Sequence, residues 1–285
     1  MAHWSIVPRD TRDSLGEGLC WSARDQALYW VDILGPALNR LSFADDAIER
    51  WAMPEPLGWV AGRASGGLIG GFQSGFAEID VEPLAIRHLA DPEPHHPGNR
   101  MNDGKADAQG RIWCGTMDMA ENEDNGALYR FDADGSWTRM DHGYRVPNGP
   151  AFSKDGCWFY HSDTARQTIY RFARNDDGTI TDRTPFVQFG EADGYPDGMT
   201  VDAEGGLWVA HWGGSRISRF DPEGKVERSI ALPAHQITNI TFAGPDLTRM
   251  FVTSAATGLP DSDYDGALFE VDSGVQGLPT HEFAG

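Results

Sequence analysis

The stretch that decides the fold is PNGPAFSKDGCWFY, residues 147–160. It contains an oxygen-bearing side chain before a glycine, a turn eight residues further on, and a tryptophan segment directly after that turn. The same order returns in PDGMTVDAEGGLWV, residues 196–209, and twice more nearer the N-terminus. The four marked residues that begin these copies are Glu17, Asn102, Asn148 and Asp197, and their turns contain Asp25, Gly110, Gly156 and Gly205. Such a recurring pattern indicates a fold built from structural repeats.

Six evenly spaced turns give the number of repeats. Successive turns are 41 to 49 residues apart, and they fall at Asp25, Gly66, Gly110, Gly156, Gly205 and Thr248. Six further segments, such as ALYRF at 127–131 and TIYRF at 168–172, alternate apolar and polar residues as half-buried strands do. Repeats of about 40 to 50 residues that each form a small antiparallel sheet are typical of propellers. The sequence therefore predicts an all-β protein, a six-bladed β-propeller in a single domain spanning residues 1–285.

Composition argues against several kinds of partner. The chain has 285 residues, a net charge of −20 and no cluster of basic residues, whereas nucleic acid or an anionic membrane surface requires a basic face. Residues 1–10 contain no apolar signal-peptide core, and no stretch approaches the length of a membrane span. Cys20, Cys114 and Cys157 lie in apolar contexts and are predicted to be small buried side chains. We therefore expect a cytoplasmic protein without nucleic-acid or membrane partners, and its oligomeric state stays open.

Propeller geometry is expected to bring the four marked residues together. Each should begin the innermost strand of its blade, so all four should meet at one rim of the central channel. Their carboxylate and amide oxygens favour Ca²⁺, Mg²⁺ or Mn²⁺ over metals that prefer thiolate or imidazole. Four protein ligands leave coordination positions for water and a substrate oxygen, as a catalytic metal requires. Since Asn and Asp before Gly are also common turn residues, the pattern alone is compatible with repeated turn chemistry as well.

Two repeats lack a marked residue. The equivalent position is Gly58 in the second repeat and Ile240 in the sixth, where Asn239 lies one place off. These two blades are expected to leave room beside the ring for a bound molecule.

Five motifs resemble one enzyme family. They are SLGEG at 14–18, RMNDGK at 100–105, DAQGRIWCGTM at 107–117, PNGP at 147–150 and YPDGM at 195–199. Together they resemble, nearly end to end, the family of sugar lactonases that contains gluconolactonase and regucalcin, also called senescence marker protein. The resemblance implies a six-bladed propeller with one divalent metal at the channel mouth, with Ca²⁺ expected and Mg²⁺, Mn²⁺, Zn²⁺ or Fe²⁺ as alternatives. It also implies a carboxylic ester hydrolase that opens a sugar acid lactone, an aldonolactone, to the aldonic acid.

The same resemblance divides the roles among the site residues. It implies that Glu17, Asn148 and Asp197 bind the metal and that Asp197 is also the catalytic acid or base. It implies that Arg100 and Asn102 hold the lactone, which makes Asn102 a substrate contact or a water-mediated neighbour of the metal. Two candidates remain for activating the attacking water, namely Asp197 as general base and a hydroxide formed at the metal. We favour Asp197.

The acidic residues after the Gly-Thr-Met segment complete the predicted substrate site. Some relatives carry a substrate-binding glutamate there, and in this chain the role falls to Asp118, to Glu121 or to neither. Two other functions fit the same ring: hydrolysis of a different ester or of a phosphotriester, and a non-enzymatic calcium-binding platform. The sequence has no G-x-S-x-G nucleophile elbow and no phosphate-binding glycine loop, so serine-hydrolase and nucleotide chemistry are not expected.

Overall fold

Twenty-four strands form six four-stranded antiparallel sheets in the computed structural model, which describes residues 4–175 and 177–285. In each blade, the first strand of the repeat lies innermost. These six inner strands contact one another in a closed ring around the channel. The six-bladed β-propeller predicted from the repeats is therefore confirmed. Of the predicted domain, residues 1–3 and 176 lie outside the described residues.

The blades follow the chain in order, and within each blade the strands run in sequence from the channel outward. The first two blades are β2 (Gly16–Ser22), β3 (Ala27–Asp32), β4 (Ala37–Ser42) and β5 (Ile48–Ala52), then β6 (Leu57–Gly62), β7 (Leu68–Phe72), β8 (Gly75–Val81) and β9 (Leu84–Ala90). The next two are β10 (Asn99–Ala106), β11 (Ile112–Asp118), β12 (Gly126–Phe131) and β13 (Trp137–Tyr144), then β14 (Pro147–Phe152), β15 (Trp158–Asp163), β16 (Thr168–Arg174) and β17 (Ile180–Gln188). The last two are β18 (Tyr195–Val201), β19 (Leu207–Trp212), β20 (Arg216–Phe220) and β21 (Val226–Ala231), then β22 (Gln236–Ala243), β23 (Arg249–Ala255), β24 (Leu268–Val271) and, from the other end of the chain, β1 (Trp4–Ile6).

The N-terminal strand closes the ring. Strand β1 pairs with β24 as the outermost strand of the sixth blade, with Trp4 opposite Val271 and Ile6 opposite Phe269. The Trp4 ring also packs edge-on against Phe269, with 5.8 Å between the ring centroids. Because the sixth blade combines strands from both ends of the chain, main-chain hydrogen bonds hold the ring shut.

The second strands of three blades carry buried tryptophans. Trp30, Trp113 and Trp208 are fully buried and pack against side chains of a neighbouring blade. Their indole nitrogens keep a partner: Trp113 Nε1 donates to Asp107 Oδ2 at 2.8 Å, and Trp208 Nε1 donates to Asp202 Oδ2 at 2.8 Å. The large ring is thus removed from water while its polar atom stays hydrogen-bonded, which stabilises the contact between blades.

Each inner strand carries a bulge near the start of its repeat. For the blades with marked residues, the pairing register shifts between Glu17 and Cys20, Met101 and Gly104, Asn148 and Ala151, and Pro196 and Met199. A bulge re-aims side chains that regular alternation would point to opposite faces. Gly18 and Gly149 adopt positive φ angles of 58° and 74°, which a residue with a side chain adopts only with strain. The glycine that follows these marked residues is therefore a consequence of the bulge.

Two of the three cysteines are buried as predicted, and the third is not. Cys20 and Cys114 are buried within their strands. Cys157 is exposed, so that prediction is wrong. The physical reason is that Cys157 belongs to the turn between β14 and β15 and precedes the first residue of β15.

Helical structure within 4–175 and 177–285 is limited to two short 3-10 turns, Thr164–Arg166 and Glu191–Asp193. Neither these turns nor any other helix in the described part of the chain is long and apolar enough to cross a membrane.

Candidate active site

The four marked residues come together at the channel mouth where the inner strands begin. All four are buried, with 3 to 7% of each residue exposed. Asn102 Nδ2 donates to Asn148 Oδ1 at 2.9 Å, and Glu17 lies near enough to Asp197 for its charge to raise the pKa of that carboxyl group. The structure thus brings the marked residues into two pairs, one of amides and one of carboxyl groups.

Three carboxyl groups are buried at this mouth, one more than the sequence predicted. Asp103 is 4% exposed, and its charge raises the pKa of both Glu17 and Asp197. Burial is the largest cause: it raises the pKa of Glu17 to about 8, that of Asp197 well above its usual range, and that of Asp103 as well. Carboxyl groups that are gathered away from water favour protonation or a bound cation. This acidic group therefore attracts positive charge.

One carboxylate oxygen at this mouth has no partner. Asp197 Oδ1 is buried, and no hydrogen-bond donor in the described residues reaches it. An unpaired buried carboxylate oxygen costs free energy unless a ligand supplies the missing contact. This oxygen is therefore the strongest indication that the site binds something that the chain does not itself provide.

The donor set fits a hard cation. Glu17 and Asp197 offer carboxylate oxygens, and Asn148 offers Oδ1, which accepts a hydrogen bond from Asn102 and has a second lone pair. Asn148 Nδ2 donates to Thr164 Oγ1 at 2.9 Å, which holds the amide in this orientation. Within 4–175 and 177–285, no three His, Cys, Asp or Glu side chains form a metal-binding group by themselves. A cation here would therefore use the amide oxygen and water in addition to carboxylates.

Asn239 occupies the place that was expected to be open in the sixth blade. Its Nδ2 donates to Glu17 Oε2 at 2.9 Å and lies 3.4 Å from Asp103 Oδ2. Strands β22 and β10 lie on opposite sides of the ring, so the contact with Asp103 crosses the channel. The expectation of free space in this blade is wrong, because the bulge between Ile237 and Ile240 turns Asn239 toward the channel axis.

Gly58 leaves no room in the second blade either. A Cβ atom at this position would lie 2.5 Å from the carbonyl oxygen of Asn102, because the backbone of β10 packs directly against β6. The glycine is required for this close approach of two inner strands. The expected space beside the ring is therefore filled by the backbone of the third blade.

Arg100 extends the site toward the rim. Its Nη1 donates to Asn102 Oδ1 at 2.7 Å. The residue is 8% exposed, and burial lowers the pKa of its guanidinium to about 10, while the charges of Glu17, Glu121 and Asp197 act in the opposite direction. The structure thus brings Arg100 and Asn102 into contact beside the acidic group.

The two acidic candidates after the Gly-Thr-Met segment differ in placement. Asp118 ends β11, where the backbone amides of Asn122 and Ala120 donate to its carboxylate and lower its pKa. Glu121 is exposed in the following turn, has a φ of 56°, and interacts electrostatically with Arg100. Asp118 therefore holds the turn in shape, whereas Glu121 is the one of the two whose charge acts on the site.

A cavity of about 350 Å³ opens beside Arg100. Its polar wall contains Glu93, which the sequence analysis did not identify. Glu93 accepts hydrogen bonds from Asn99 Nδ2 at 2.8 Å, Thr116 Oγ1 at 2.8 Å and the Tyr129 hydroxyl at 2.9 Å. A carboxylate fixed by three donors presents a rigid polar surface to a small molecule. No sequence signal marks Glu93, because it lies in a loop outside the repeated pattern.

Fold and site together define the class of protein. It is a propeller whose inner strands gather carboxylate and amide oxygens around the axis at one mouth of the channel. Within that class, the chain belongs to the SMP-30/Gluconolactonase/LRE-like region family, whose profile matches residues 15–256. The family resemblance carried by the five sequence motifs is therefore confirmed.

Individual relatives are similar over nearly their full length. The chain is 36% identical to the 6-deoxy-6-sulfogluconolactonase of Pseudomonas putida, with 95% of each protein covered. It is 34% identical to the L-arabinolactonase of Azospirillum brasilense, with 97% of this chain and 94% of that protein covered. The crystal structure of the calcium-binding protein regucalcin from Agrobacterium tumefaciens strain C58 is 28% identical with a TM-score of 0.92, and 98% of this chain and 96% of that chain are covered.

Proposed function

We propose that this protein is a carboxylic ester hydrolase that opens a sugar acid lactone to the aldonic acid with a divalent cation at the channel mouth. The observation that supports a bound cation is the unpartnered Asp197 Oδ1 within a group of three buried carboxyl groups. Similarity to two proteins named as sugar lactonases supports the substrate class. Similarity to a calcium-binding regucalcin supports Ca²⁺ ahead of Mg²⁺, Mn²⁺, Zn²⁺ and Fe²⁺.

Glu17, Asn148 and Asp197 are the residues that would hold the cation. When bound, a divalent cation neutralises buried carboxylates and polarises an ester carbonyl. Asn102 uses both amide hydrogens within the protein, donating to Asn148 Oδ1 and to a main-chain carbonyl. Its role toward the lactone is therefore to fix Arg100, whose remaining N–H groups would bind the oxygen atoms of the sugar.

Asp197 would act as the acid and base of the reaction. A water oxygen forms a bond to the lactone carbonyl carbon while its proton passes to Asp197, at the carboxylate oxygen that the cation does not use. The bond from that carbon to the ring oxygen then breaks, and Asp197 returns the proton to the ring oxygen, which becomes a hydroxyl group. Burial raises the pKa of Asp197 well above its usual range in the metal-free protein, which favours proton acceptance. A bound cation would act in the opposite direction, so the proton would go to the oxygen that the cation does not use.

Metal depletion followed by addition of single cations tests this proposal. Opening of xylono-, arabinono-, glucono- and galactono-lactones is followed with a pH indicator, against a blank with heat-denatured protein because lactones also open spontaneously. Treatment with EDTA should abolish the protein-dependent rate, and one or more cations should restore it. A rate that EDTA leaves unchanged would overturn the role of the metal. Binding of Ca²⁺ without opening of any lactone would favour the calcium-binding platform instead.

A further inference from the structure

A second cavity lies at the opposite mouth of the channel. It has a volume of about 520 Å³ and is lined by residues at or near the ends of β10, β14, β18 and β22, namely Ala106, Phe152, Val201 and Phe242. Residues 278–281 form part of its wall. Since a strand rises about 3.3 Å per residue, Phe152 lies roughly 13 Å along β14 from Asn148. The contact of Asp103 with Asn239 crosses the channel, so the cavity is distinct from the candidate active site.

Basic side chains are concentrated at this second cavity. The chain has three lysines and a net charge of −20, yet Lys105 and Lys154 both line the cavity together with Arg111 and Arg174. Among the residues that the structure describes, Asp155 is the one acidic residue that lines this cavity. Its carboxylate already accepts hydrogen bonds from Ser153 and Cys157 of its own turn. A positive surface at one mouth of an acidic protein concentrates small anions there.

Several of these basic groups have unused donors. Asp107 Oδ2 accepts from Arg111 Nη2 at 2.6 Å and from Arg174 Nη2 at 2.7 Å, so two guanidinium groups share one carboxylate. The Arg174 side chain is 6% exposed, and its Nε has no hydrogen-bond partner in the part of the chain that the structure describes. The Lys105 ammonium donates to the Met199 carbonyl at 2.8 Å and carries two further N–H groups. The wall of the cavity therefore combines surplus positive charge with free donors.

We propose that this cavity binds a small oxyanion, a molecule that carries a carboxylate or phosphate group, at Lys105 and Arg174. Charge-assisted hydrogen bonds from lysine and arginine are strong interactions with such groups. Phe152 supplies an apolar wall, and the Arg174 guanidinium lies over its ring at 5.1 Å from the centroid, which holds the arginine in place. A cavity of this volume accepts a small metabolite. The site is separate from the one proposed for lactone hydrolysis, and Lys105 also interacts electrostatically with Asp103 at the other mouth.

Isothermal titration calorimetry of the metal-loaded protein at constant ionic strength tests this site. Inorganic phosphate and gluconate are the anionic probes, and sorbitol is an uncharged control similar in size to gluconate. At least one anion should bind while sorbitol does not. Binding of phosphate alone would assign the site to phosphate compounds, and binding of gluconate alone would assign it to carboxylic acids. Failure of both anions to bind would overturn the proposal.

Substitutions of the three lysines test whether the anion binds in this cavity. Lys105→Met should weaken anion binding about tenfold, and Lys154→Gln about threefold because that side chain is exposed. Lys225→Gln, which removes the exposed lysine outside the cavity, should leave the affinity unchanged. If Lys105→Met does not fold, Lys154→Gln carries the comparison. Equal affinity in Lys154→Gln and Lys225→Gln would then overturn the proposal. Lactone opening measured in these two variants reports separately on the other mouth.

Discussion

The two mouths of the propeller channel differ in charge although the same six inner strands line both. At the mouth where the strands begin, Glu17, Asp103 and Asp197 are buried next to Arg100. At the mouth where the strands end, four basic side chains line a cavity of about 520 Å³, which is larger than the cavity of about 350 Å³ beside Arg100. Cavity volume therefore does not identify the candidate active site. A buried oxygen without a partner, beside carboxyl groups with raised pKa values, does.

Backbone geometry explains why the two mouths differ. In β10 the bulge turns successive side chains to different inner strands, Asn102 to β14 and Asp103 to β22. Toward the other end of β10, regular pairing returns, with Lys105 opposite Trp113 and Ala106 opposite Ile112. Alternate side chains then face opposite sides of the sheet. The bulged mouth therefore gathers many short polar groups close to the axis, whereas the regular mouth keeps a wider space lined by long side chains.

The mouth that contains Glu17, Asp103 and Asp197 is the acidic mouth, and the mouth lined by Lys105, Lys154, Arg111 and Arg174 is the basic mouth. Asp197→Asn should have the largest effect, and it tests whether the acidic mouth is the catalytic one. The amide keeps an oxygen for the cation but cannot accept the proton from water, so kcat for lactone opening should fall about 1000-fold. Metal affinity measured by calorimetry should change far less. Lys154→Gln at the basic mouth is the matched control and should keep the wild-type kcat. Activity that survives in Asp197→Asn would contradict the proposed base.

Glu17→Gln tests the charge of the acidic mouth through stability. The fold raises the pKa of Glu17 from 4.5 to about 8, so between these pH values the folded state keeps a proton that the unfolded chain has released. The free energy of unfolding of the metal-free protein should therefore decrease as the pH rises from 4.5 to about 8, by on the order of 3 kcal/mol from this group. Glu17→Gln should show a smaller decrease, because Asp103 and Asp197 still contribute in the same direction.

Urea unfolding in EDTA at these two pH values measures the difference. Glu223→Gln, which removes an exposed carboxylate in the turn before β21, is the control and should keep the wild-type pH dependence. If Glu17→Gln and the wild type lose the same stability over this range, the buried Glu17 carboxyl group is not its source.

The repeat could be predicted from the sequence, but the effect of the bulges could not. Asp197 and the other marked residues were identifiable because one residue in each of four blades recurs at a fixed distance from a turn. Asp103 was missed because neighbouring residues of a regular strand point to opposite faces, and the bulge between Met101 and Gly104 cancels that rule. Asn239 was misjudged for the same reason. The pairing of β1 with β24 was not predictable, since a strand of three residues carries too little pattern.

Arg100→Ala should have the next largest effect, and it tests where the acidic mouth ends and the substrate site begins. The guanidinium is buried against Asn102, and loss of a charged hydrogen-bond donor to the lactone should raise KM about tenfold to a hundredfold with a smaller change in kcat. Arg100→Lys keeps the charge but loses the planar fork of donors, so it should restore only part of the affinity. An unchanged KM in Arg100→Ala would remove this residue from the substrate site.

Asn239→Ala should have the smallest effect, and it tests the contact that separates the two mouths. Without the Nδ2 donor, Glu17 loses a hydrogen bond to its charged form, so its pKa should rise further and the carboxylate should form only at higher pH. Metal affinity at neutral pH should fall about fivefold, and the pH at which half of the protein binds metal should move upward. If Asn239 had only a packing role, its substitution would lower stability without moving that pH midpoint. Calorimetry across a pH series therefore separates a packing role from an electrostatic one. A fixed midpoint would mean that Asn239 closes the channel without controlling the charge of the acidic mouth.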